Sequence, residues 1–434
     1  MLTRRSRLLF LAPYFPPLHV VACVRTWNIA KYLARSDWDV TVVTPHPSVW
    51  RHTDNLEETV NVIEKEGIQT ILTDHQWRCL APDFLNCWNQ GLGWATGGVC
   101  RNIARHLGID SGVGWIKAAE RACEMLTAED VDAILASGPP YTTFKLAKHL
   151  SDKLGRPYVL DYRDPWTGFP HATSSTRRAV AREESNLLAG CAAAIITSRS
   201  WRLAMEQRFG YGPKLQVITN GFDPDDLINI KPYDFGHFAI IYAGIFYPPK
   251  RIITPIMAAL KRLKAMGHTP PEWYFHYYGE GGDESHVREE AIKFGVMDRV
   301  VLHGRVPRSE VLSALRGAGV AVVITSVFER ATIEDRGIVT GKVFEALGLG
   351  TPVLLLAPSG SDAEKIAMST GVARSYRGHD TNGIVSFLKD VMQGESCKPT
   401  QLEAYTWGNL SKRFDTILRG AVENSVCRNS EEWY

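Results

Sequence analysis

Short apolar runs alternate along the chain with segments in which apolar residues recur every three or four positions. In the first half, the apolar runs predict strands over 7–12, 39–44, 133–136, 158–161, 194–197 and 215–218. The helical periodicity predicts helices over 25–35, 116–126, 141–154 and 176–189. Strands that alternate with helices in this way predict βαβ units built on a parallel sheet.

The same alternation resumes after a break at residues 222–236, which a turn, Asn220-Gly221-Phe222-Asp223-Pro224, introduces. Strands are then predicted over 238–242, 273–278, 300–302, 320–324 and 353–356, and helices over 253–264, 284–294, 308–316, from about 363, and over 405–418. A chain of 434 residues is too long for a single compact core. We therefore predict an N-terminal α/β domain over 1–222 and a C-terminal one over 236–400, with a frayed tail after Gly420.

The segment from His46 to Gly114 does not follow this pattern. The segment contains four tryptophans, and a fifth follows directly after it. These tryptophans lie among Gly, Asp and Asn residues and do not recur with a helical or strand period; they are Trp50, Trp77, Trp88, Trp94 and Trp115. This composition predicts a strand-poor insertion. The insertion could cover a binding pocket or touch lipid, but a packed surface layer is the simpler interpretation.

Composition and charge exclude several classes of protein. Apolar residues make up 45% and charged residues 22% of the chain, as in globular proteins in water. A formal net charge of +2 gives no argument for a nucleic-acid partner. No apolar run approaches the roughly 18 residues of a membrane span. The eight cysteines show no C-x-x-C pair, which favours reduced thiols and a cytoplasmic location.

The stretch from Gly337 to Ala357 carries the clearest chemical pattern. A Gly-Ile-Val-Thr-Gly turn leads into a predicted helix that begins near Lys342 and carries Glu345 one turn later. The N–H groups at a helix start and a nearby ammonium group favour an anion such as phosphate. The carboxylate of Glu345 suits a neutral partner such as ribose hydroxyls. The alternative is an ordinary helix start with a solvated Lys342–Glu345 ion pair.

Polar residues also follow the predicted strands of the N-terminal domain. Arg25, Ser137, Arg163 and Asp164 come after three of these strands. Strands of one parallel sheet end at the same edge, and ligands of open α/β sheets bind there. We interpret this edge as a binding surface. The alternatives are an exposed helix arginine at Arg25 and a local Arg163–Asp164 ion pair that orders the loop.

The C-terminal domain offers a second pair of cations, Lys250 and Arg251, in the turn after its first strand. Together with Lys342, they could stabilise the charge that develops on a diphosphate leaving group. The turns contain no Asp-x-Asp pair suited to a metal, and Arg163 argues against a metal between Asp161 and Asp164. We therefore predict no metal and no cofactor.

In their order and spacing, these motifs resemble those of glycosyltransferase family 4, and two such domains resemble the GT-B fold. The motifs are FLAPYFPP, SGPPYTT, DYRDPW, ITNGFD, YYGEGG, DRVVLHGRVP and GKVFEALGLGTPVL, and they extend over nearly the whole chain. The resemblance implies two Rossmann-like domains that face an interdomain cleft, the N-terminal one for the acceptor and the C-terminal one for the donor. It also implies a helix over 401–420 that crosses back to the N-terminal domain.

The resemblance further implies a retaining, metal-independent transfer of a sugar from a UDP or GDP sugar to a hydroxyl acceptor, as in bacterial polysaccharide biosynthesis. Glu345 matches the second glutamate of the family's E-x(7)-E motif, which binds ribose, and Lys250 matches the lysine that holds the diphosphate. The other donor-side positions are Gly244, Arg305, Val306, Thr340, Gly341 and Lys342. Arg163, Asp164 and Arg251 are assigned to catalysis, and Arg25 and Ser137 to the acceptor side.

Four positions depart from the family pattern. Gly337 replaces the first glutamate of E-x(7)-E, Ile245 a common arginine, Val20-Val21 a double glycine, and Arg163 a frequent histidine. These changes leave nucleotide binding in place and put sugar handling in question. Two alternative functions therefore stay open: a sugar-nucleotide epimerase or cyclitol-coupling enzyme, and a non-catalytic nucleotide-binding subunit.

Contact with the membrane is left open as well. Many relatives act on lipid-linked acceptors, and the chain starts with the mildly basic segment 4–7. Each basic residue near an anionic leaflet contributes only about 1 kcal/mol. The expectation is a cytoplasmic protein, with a lipid-linked acceptor and a peripheral contact at the inner face of the membrane as an option.

Overall fold

A computed structural model describes residues 4–18, 20–49, 56–75, 110, 112–168, 174–267, 271–279, 281–395 and 399–431. The chain divides into two compact units. Unit 1 contains Met1–Thr219 and Trp407–Tyr434, and unit 2 contains Asn220–Thr406. The first segment of unit 1 ends at Thr219, three residues before the predicted end of the N-terminal domain at 222.

Unit 1 is built on a parallel sheet. Its strands are β1 (Ser6–Leu11), β2 (Trp38–Pro45), β3 (Gln69–Thr73), β4 (Ala133–Gly138), β5 (Tyr158–Tyr162), β6 (Ala193–Ile196) and β7 (Leu215–Val217). They are arranged in the order β3-β2-β1-β4-β5-β6-β7. The helices between them are α1 (Val21–Ala34), α2 (Leu56–Lys65), α3 (Val113–Ala122), α4 (Thr142–Leu154), α5 (Ser174–Gly190) and α6 (Arg199–Phe209).

Unit 2 is built on a second parallel sheet. Its strands are β8 (Phe238–Ala243), β9 (Trp273–Tyr278), β10 (Val300–Leu302), β11 (Val320–Ile324), β12 (Val353–Leu356) and β13 (Ala373–Tyr376), in the order β10-β9-β8-β11-β12-β13. Its helices are α7 (Pro224–Leu227), α8 (Thr254–Ala265), α9 (Gly282–Phe294), α10 (Arg308–Gly317), α11 (Ile333–Arg336), α12 (Gly341–Leu349), α13 (Asp362–Thr370) and α14 (Thr381–Met392).

The continuous apolar runs form the central strands because helices cover both faces of each sheet. All side chains from Leu8 to Leu11 in β1 are buried, and so are those from Val353 to Leu356 in β12. The predicted fold class, two Rossmann-like parallel-sheet domains, is confirmed.

The last helix, α15 (Trp407–Glu431), belongs to unit 1 and packs on α1. Its buried residues recur every three or four positions and face the core of unit 1; they are Trp407, Leu410, Phe414, Leu418 and Ala421. The indole N–H of Trp38 donates to Asp415 at 2.7 Å. A C-terminal helix that returns to the N-terminal unit is thus present. It extends to Glu431, so the predicted end near Gly420 is wrong.

The prediction of a strand-poor insertion over 46–114 is also wrong for its described part. Residues 56–65 form α2, and β3 pairs with β2 at the edge of the sheet. β3 was missed because four of its five side chains face outward or are only half buried, which leaves no apolar run. Trp115 is buried and donates to Thr73 Oγ1 at 2.7 Å, so it is a packed residue. Trp50, Trp77, Trp88 and Trp94 lie outside the described residues.

Candidate active site

In unit 2, the residue after β8 and the start of α12 lie in direct contact. Gly244 has a φ of 130° and its N–H donates to the carbonyl of Tyr278 at 2.8 Å. The Nζ of Lys342 occupies the place where a side chain at position 244 would begin. Position 244 therefore needs glycine, both for its backbone and for the space that Lys342 takes. The structure brings these two predicted residues together.

The ammonium group of Lys342 is partly buried and has no acidic partner in direct contact. It lies 5.3 Å from the ring centroid of Tyr242, and within the described residues it makes no hydrogen bond or ion pair. Burial, and after it the charge of Arg251, lowers the pKa of Lys342 to about 8. Glu345 and Asp283 oppose this effect from a distance. Lys342 is a cation whose charge the protein does not fully compensate.

Arg251 is a second cation of this kind. Its guanidinium lies 5.1 Å from the ring centroid of Tyr247, and its Nε is buried without a hydrogen-bond partner in the described part of the chain. Backbone hydrogen bonds between Tyr247 and Arg251 at 3.0 Å close the loop that carries it. Arg251 and Lys342 repel each other, and a bound anion would relieve this repulsion.

Helix α12 adds neutral donors to the two cations. It begins at Gly341, whose Cα faces open space, and its first N–H groups have no partner within the helix. Thr340 precedes the helix with extended backbone and does not cap it. Its Oγ1 is buried without a hydrogen-bond partner among the described residues. A hydroxyl, backbone N–H groups and two cations form an arrangement that suits a phosphate.

Lys250, by contrast, is neutralised by the protein. Its Nζ lies 2.7 Å from Oδ1 of Asp335, a carboxylate that is 2% exposed. Burial by itself would raise the pKa of Asp335, but hydrogen bonds from Lys250 and Thr332 outweigh it and lower that pKa. Asp335 also completes the capping box of α11 with Thr332. The sequence analysis missed Asp335, although the spacing Thr-x-x-Asp is a signal for such a cap.

Glu345 is paired as well, but with a partner other than the expected one. Its Oε1 accepts from Arg308 of α10 at 2.8 and 3.2 Å. Arg308 also lies 3.6 Å from Asp226. The alternative of a simple Lys342–Glu345 ion pair is wrong in the described structure, where Arg308 takes that role. Glu345 remains near enough to Lys342 to affect its pKa.

Arg305 and Val306 follow β10 at the carboxyl edge of the sheet. Arg305 is exposed and Val306 is half-buried against the core of unit 2. The segment is joined to the end of β9 because Gly279 N–H donates to the carbonyl of Gly304 at 3.0 Å. Apart from Glu345, which lies in the middle of α12, the predicted donor-side positions are on loops or at a helix start in unit 2.

In unit 1, Arg25 and Ser137 form part of a buried network around Asp161. Arg25 is 3% and Asp161 0% exposed, and their closest atoms are 2.6 Å apart. Arg25 also donates to the carbonyls of Ile218 and Thr219, and Ser137 donates to Asp161 at 2.8 Å. Helix α1 begins at Val21 rather than at Arg25, which turns Arg25 inward. Their assignment to the acceptor side is corrected: both residues hold the core together.

This correction has a measurable consequence for stability. An Arg25→Met variant leaves the carboxylate of Asp161 buried without its cation, and we expect a loss of about 3–5 kcal/mol in the free energy of unfolding. Urea unfolding of the variant measures this loss. The matched control is Arg4→Met, which removes an exposed pair with Asp132 and should cost less than about 1 kcal/mol. Equal losses in the two variants would contradict the structural role of Arg25.

Arg163 connects two backbone segments through hydrogen bonds. Its guanidinium donates to the carbonyl of Ala22 at 3.1 Å and to that of Pro139, and it lies 5.2 Å from the ring centroid of Tyr14. These carbonyls occupy its donors in the described structure, and its assignment to catalysis stays a prediction. The local ion pair with Asp164 is not formed in the described structure. Asp164 is partly exposed. Burial raises its pKa, and the charge of Arg163 offsets only part of that rise.

Glu184 is a titratable residue of unit 1 that the sequence analysis did not single out. It lies on α5, is 0% exposed, and accepts from the N–H of Thr167 at 2.9 Å. Burial raises its pKa to about 7, although hydrogen bonds from Thr167 and the charge of Arg208 oppose this. In the described structure its Oε1 has no partner. No local pattern in the sequence marks it, because its burial depends on the fold.

Glu184 makes the stability of the fold depend on pH. Its folded pKa of about 7 lies above its ordinary value of 4.5, so the folded protein holds the proton more tightly than the unfolded chain does. Stability should therefore fall as the pH rises from about 4.5 to 7. A Glu184→Gln variant keeps the bond to Thr167 and stays neutral, so at pH 8 it should be more stable by about 3 kcal/mol. Urea unfolding at pH 5 and pH 8 tests this; an unchanged pH slope in the variant would contradict it.

Among the described residues, no group of three His, Cys, Asp or Glu side chains is placed to hold a metal ion. Within the same ranges, no helix is both long enough and apolar enough to cross a bilayer.

Comparison with known proteins agrees with this architecture. Residues 22–221 match the family model described as a glycosyl transferase 4-like domain. No curated protein sequence matches the chain. Sucrose-phosphate synthase from Thermosynechococcus elongatus has a similar structure, with 13% identity, a TM-score of 0.60 and coverage of 99% of both chains.

Two further solved structures share the fold. The glycosyltransferase from Rickettsia africae ESF-5 is 12% identical, with a TM-score of 0.60 and coverage of 97% of this chain and 99% of that one. HepE from Anabaena is 16% identical, with a TM-score of 0.55 and coverage of 98% and 100%. Residues 22–221 thus match a glycosyl transferase 4-like domain, and the described chain has the GT-B fold that these solved structures share.

Proposed function

We propose that the protein transfers a sugar from a uridine diphosphate sugar to a hydroxyl acceptor, with retention at the anomeric carbon and without a metal ion. The observation that carries the proposal is the pair of cations, Lys342 and Arg251, that meet at the start of α12 without acidic partners in contact. Two like charges held together cost free energy, and a diphosphate is an anion that offsets this cost.

The chemistry proposed for this site is the departure of the diphosphate. The bond between the anomeric carbon and the diphosphate oxygen breaks, and a bond to the acceptor oxygen forms on the same face of the sugar. The acceptor proton passes to a phosphate oxygen of the leaving group. Lys342, Arg251 and the N–H groups of α12 stabilise the negative charge as it develops. Two fixed cations take the part that a metal ion has in other transferases.

Lys250 and Glu345 have supporting roles in this proposal. Lys250 moves from Asp335 to the diphosphate, which offers it a stronger anion. Glu345, held by Arg308, accepts hydrogen bonds from the ribose hydroxyls. The backbone of Arg305 and Val306 lies beside the base. Gly337 leaves the position of a sugar-binding glutamate empty, so the chain has fewer contacts with the sugar than the family pattern provides.

The choice of uridine rests on analogy. Structures of HepE are described as complexes with UDP, with UDP and glucose, and with UDP-glucose. GDP sugars are the other donors to which the sequence resemblance points. We place the acceptor on unit 1, where Asp164 remains a partly exposed carboxylate at the carboxyl edge of the sheet.

A lipid-linked acceptor and a peripheral contact with the inner face of the membrane remain part of the proposal. Co-sedimentation with vesicles of anionic and of neutral lipid tests the contact. The basic start of the chain should give weak binding that salt abolishes. Binding that persists at high salt would indicate an apolar contact instead.

The central experiment is a thermal-shift comparison of UDP, GDP, dTDP and ADP in EDTA. A ligand that binds only the folded state raises the melting temperature with its concentration. We expect UDP to give the largest shift and EDTA to leave that shift unchanged. A shift that needs added Mg²⁺, or no shift with any of the four, would contradict the proposal. Incubation of a UDP sugar without an acceptor then tests for an epimerase, which would convert the sugar alone.

A further inference from the structure

The loop that follows β8 carries Lys250 and Arg251, and we call residues 244–251 the cation loop. Where its two charged side chains lie depends on how the backbone of the loop is held. Its far end is fixed because the N–H of Val327 donates to the carbonyl of Lys250 at 2.8 Å. Its first half is fixed by a carboxylate from another part of unit 2.

Asp283, in the first turn of α9, supplies this carboxylate. Its Oδ2 accepts a hydrogen bond from the N–H of Phe246 at 3.1 Å, and the two residues are 37 positions apart along the chain. Phe246 is buried, and Asp283 is half-buried. A backbone N–H in a buried segment that loses its acceptor costs free energy, so this hydrogen bond favours one position of the loop. The proposed function leaves Asp283 without a role.

The ring of Phe246 connects this hydrogen bond to the anion site. It stacks on the ring of Tyr242, with centroids 4.8 Å apart and planes at 6°, and its centroid lies 5.8 Å from that of Tyr277. The ammonium group of Lys342 lies over the same Tyr242 ring. The hydroxyl of Tyr242 also donates to the carbonyl of Ile245 at 3.1 Å. A shift of Phe246 would therefore disturb both the cation loop and the ring that Lys342 contacts.

The charge of Asp283 also acts at this site. Burial raises the pKa of Tyr242, the charge of Arg251 opposes that rise, and the charge of Asp283 adds to it. Asp283 also opposes the fall in the pKa of Lys342 that burial and Arg251 cause. A negative charge at this place repels an anionic ligand. The hydrogen bond and the charge of Asp283 therefore have opposite expected effects on the binding of a diphosphate, and substitutions can separate them.

We propose that Asp283 is a positioning residue for the diphosphate: by accepting from the N–H of Phe246, it holds the cation loop where Arg251 and Lys342 can bind one anion together. Asp283 acts through Phe246, and the contacts with the ligand belong to the two cations. The inference rests on the proposed function, because it takes the diphosphate as the ligand. Two simpler roles compete with it, a favourable charge at the start of α9 and a charge that only weakens anion binding.

The test compares two variants that both remove the charge. Asp283→Asn keeps an oxygen that can accept from the N–H of Phe246, whereas Asp283→Ala has no acceptor. Calorimetry with inorganic pyrophosphate at pH 7 should show that Asp283→Asn binds at least as tightly as the wild type, because a repelling charge is gone and the loop stays in place. Asp283→Ala should bind about fivefold more weakly than Asp283→Asn, as expected for the loss of one hydrogen bond that orders the site.

The matched control is Asp234→Ala, which removes an exposed carboxylate that accepts from the N–H of Gly236 at 3.0 Å in the same unit. It should bind pyrophosphate as the wild type does. Equal binding by Asp283→Asn and Asp283→Ala overturns the inference, because a helix charge or a repelling charge is lost equally in both variants. A wild-type protein that binds neither pyrophosphate nor UDP overturns the proposed function, and the inference with it.

Discussion

A Lys342→Met variant is expected to bind UDP about 10- to 100-fold more weakly than the wild type and to lose at least about 100-fold in the rate of sugar transfer. Methionine has nearly the length of lysine, so the packing against Tyr242 and Gly244 stays similar while the charge is removed. The variant should also be at least as stable as the wild type, because it no longer buries a cation beside Arg251. Calorimetry, transfer kinetics and urea unfolding measure the three quantities.

The matched control for this variant is Lys365→Met. Lys365 lies in the same unit, is mostly exposed and pairs with Asp362 at 3.7 Å. Its replacement should leave UDP binding and transfer unchanged. Full transfer activity in Lys342→Met, or an equal loss in Lys365→Met, would contradict the assignment of the site.

A Lys250→Met variant is expected to lose both activity and stability, for separate reasons. Loss of a cation at the diphosphate should reduce the transfer rate about 100- to 1,000-fold. The buried carboxylate of Asp335 would also lose its partner, which should lower the free energy of unfolding by about 2 kcal/mol, since Lys250 is itself partly exposed.

The double variant Lys250→Met with Asp335→Asn separates the two effects. Asparagine at 335 needs no cation and can still accept a hydrogen bond from Thr332. We expect unfolding measurements to show that most of the lost stability returns, while transfer stays at the level of Lys250→Met. Recovery of activity along with stability would mean that Lys250 only stabilises the loop and does not act on the donor.

The sequence predicts the strands of this fold well where both faces of a strand are buried. β11 and β12 have the predicted bounds, and every side chain in both strands is buried. The missed strands, β3 and β13, lie at sheet edges, and most of their side chains are exposed or only half-buried. A strand that is covered on one side only carries a weaker hydrophobic signal.

Helix α6 was missed although the signal was present. Ser198 caps it, and Trp201, Ala204 and Met205 are buried at helical spacing. Its low mean hydropathy hid this pattern among four charged residues. The cap and the spacing of the buried residues are both typical of a helix, but the segment contains no apolar run that would mark it.

The residues of the candidate site could be predicted from the sequence where their contacts are close together along the chain. Lys342 and Glu345 are three residues apart on one helix, and the sequence places both. The partners that decide their roles are distant: Arg308 is 37 residues from Glu345, and Asp335 is 85 residues from Lys250. Arg25 and Asp161 are 136 residues apart, so no local pattern shows that Arg25 turns into the core. Long-range pairs of this kind depend on the sheet order, which periodicity does not reveal.

Lys342 is poorly compensated in the free protein, and the proposed function makes it the residue that receives the diphosphate of the donor. Because the pKa of Lys342 is about 8, about half of its ammonium groups have lost their proton at pH 8. A diphosphate beside it raises that pKa, so binding must take up protons. Calorimetric titration of UDP at pH 8, in two buffers of different ionisation enthalpy, measures this uptake. We predict an uptake of about half a proton in the wild type and none in Lys342→Met; UDP binding without proton uptake, and equally tight in both proteins, would contradict the role of Lys342.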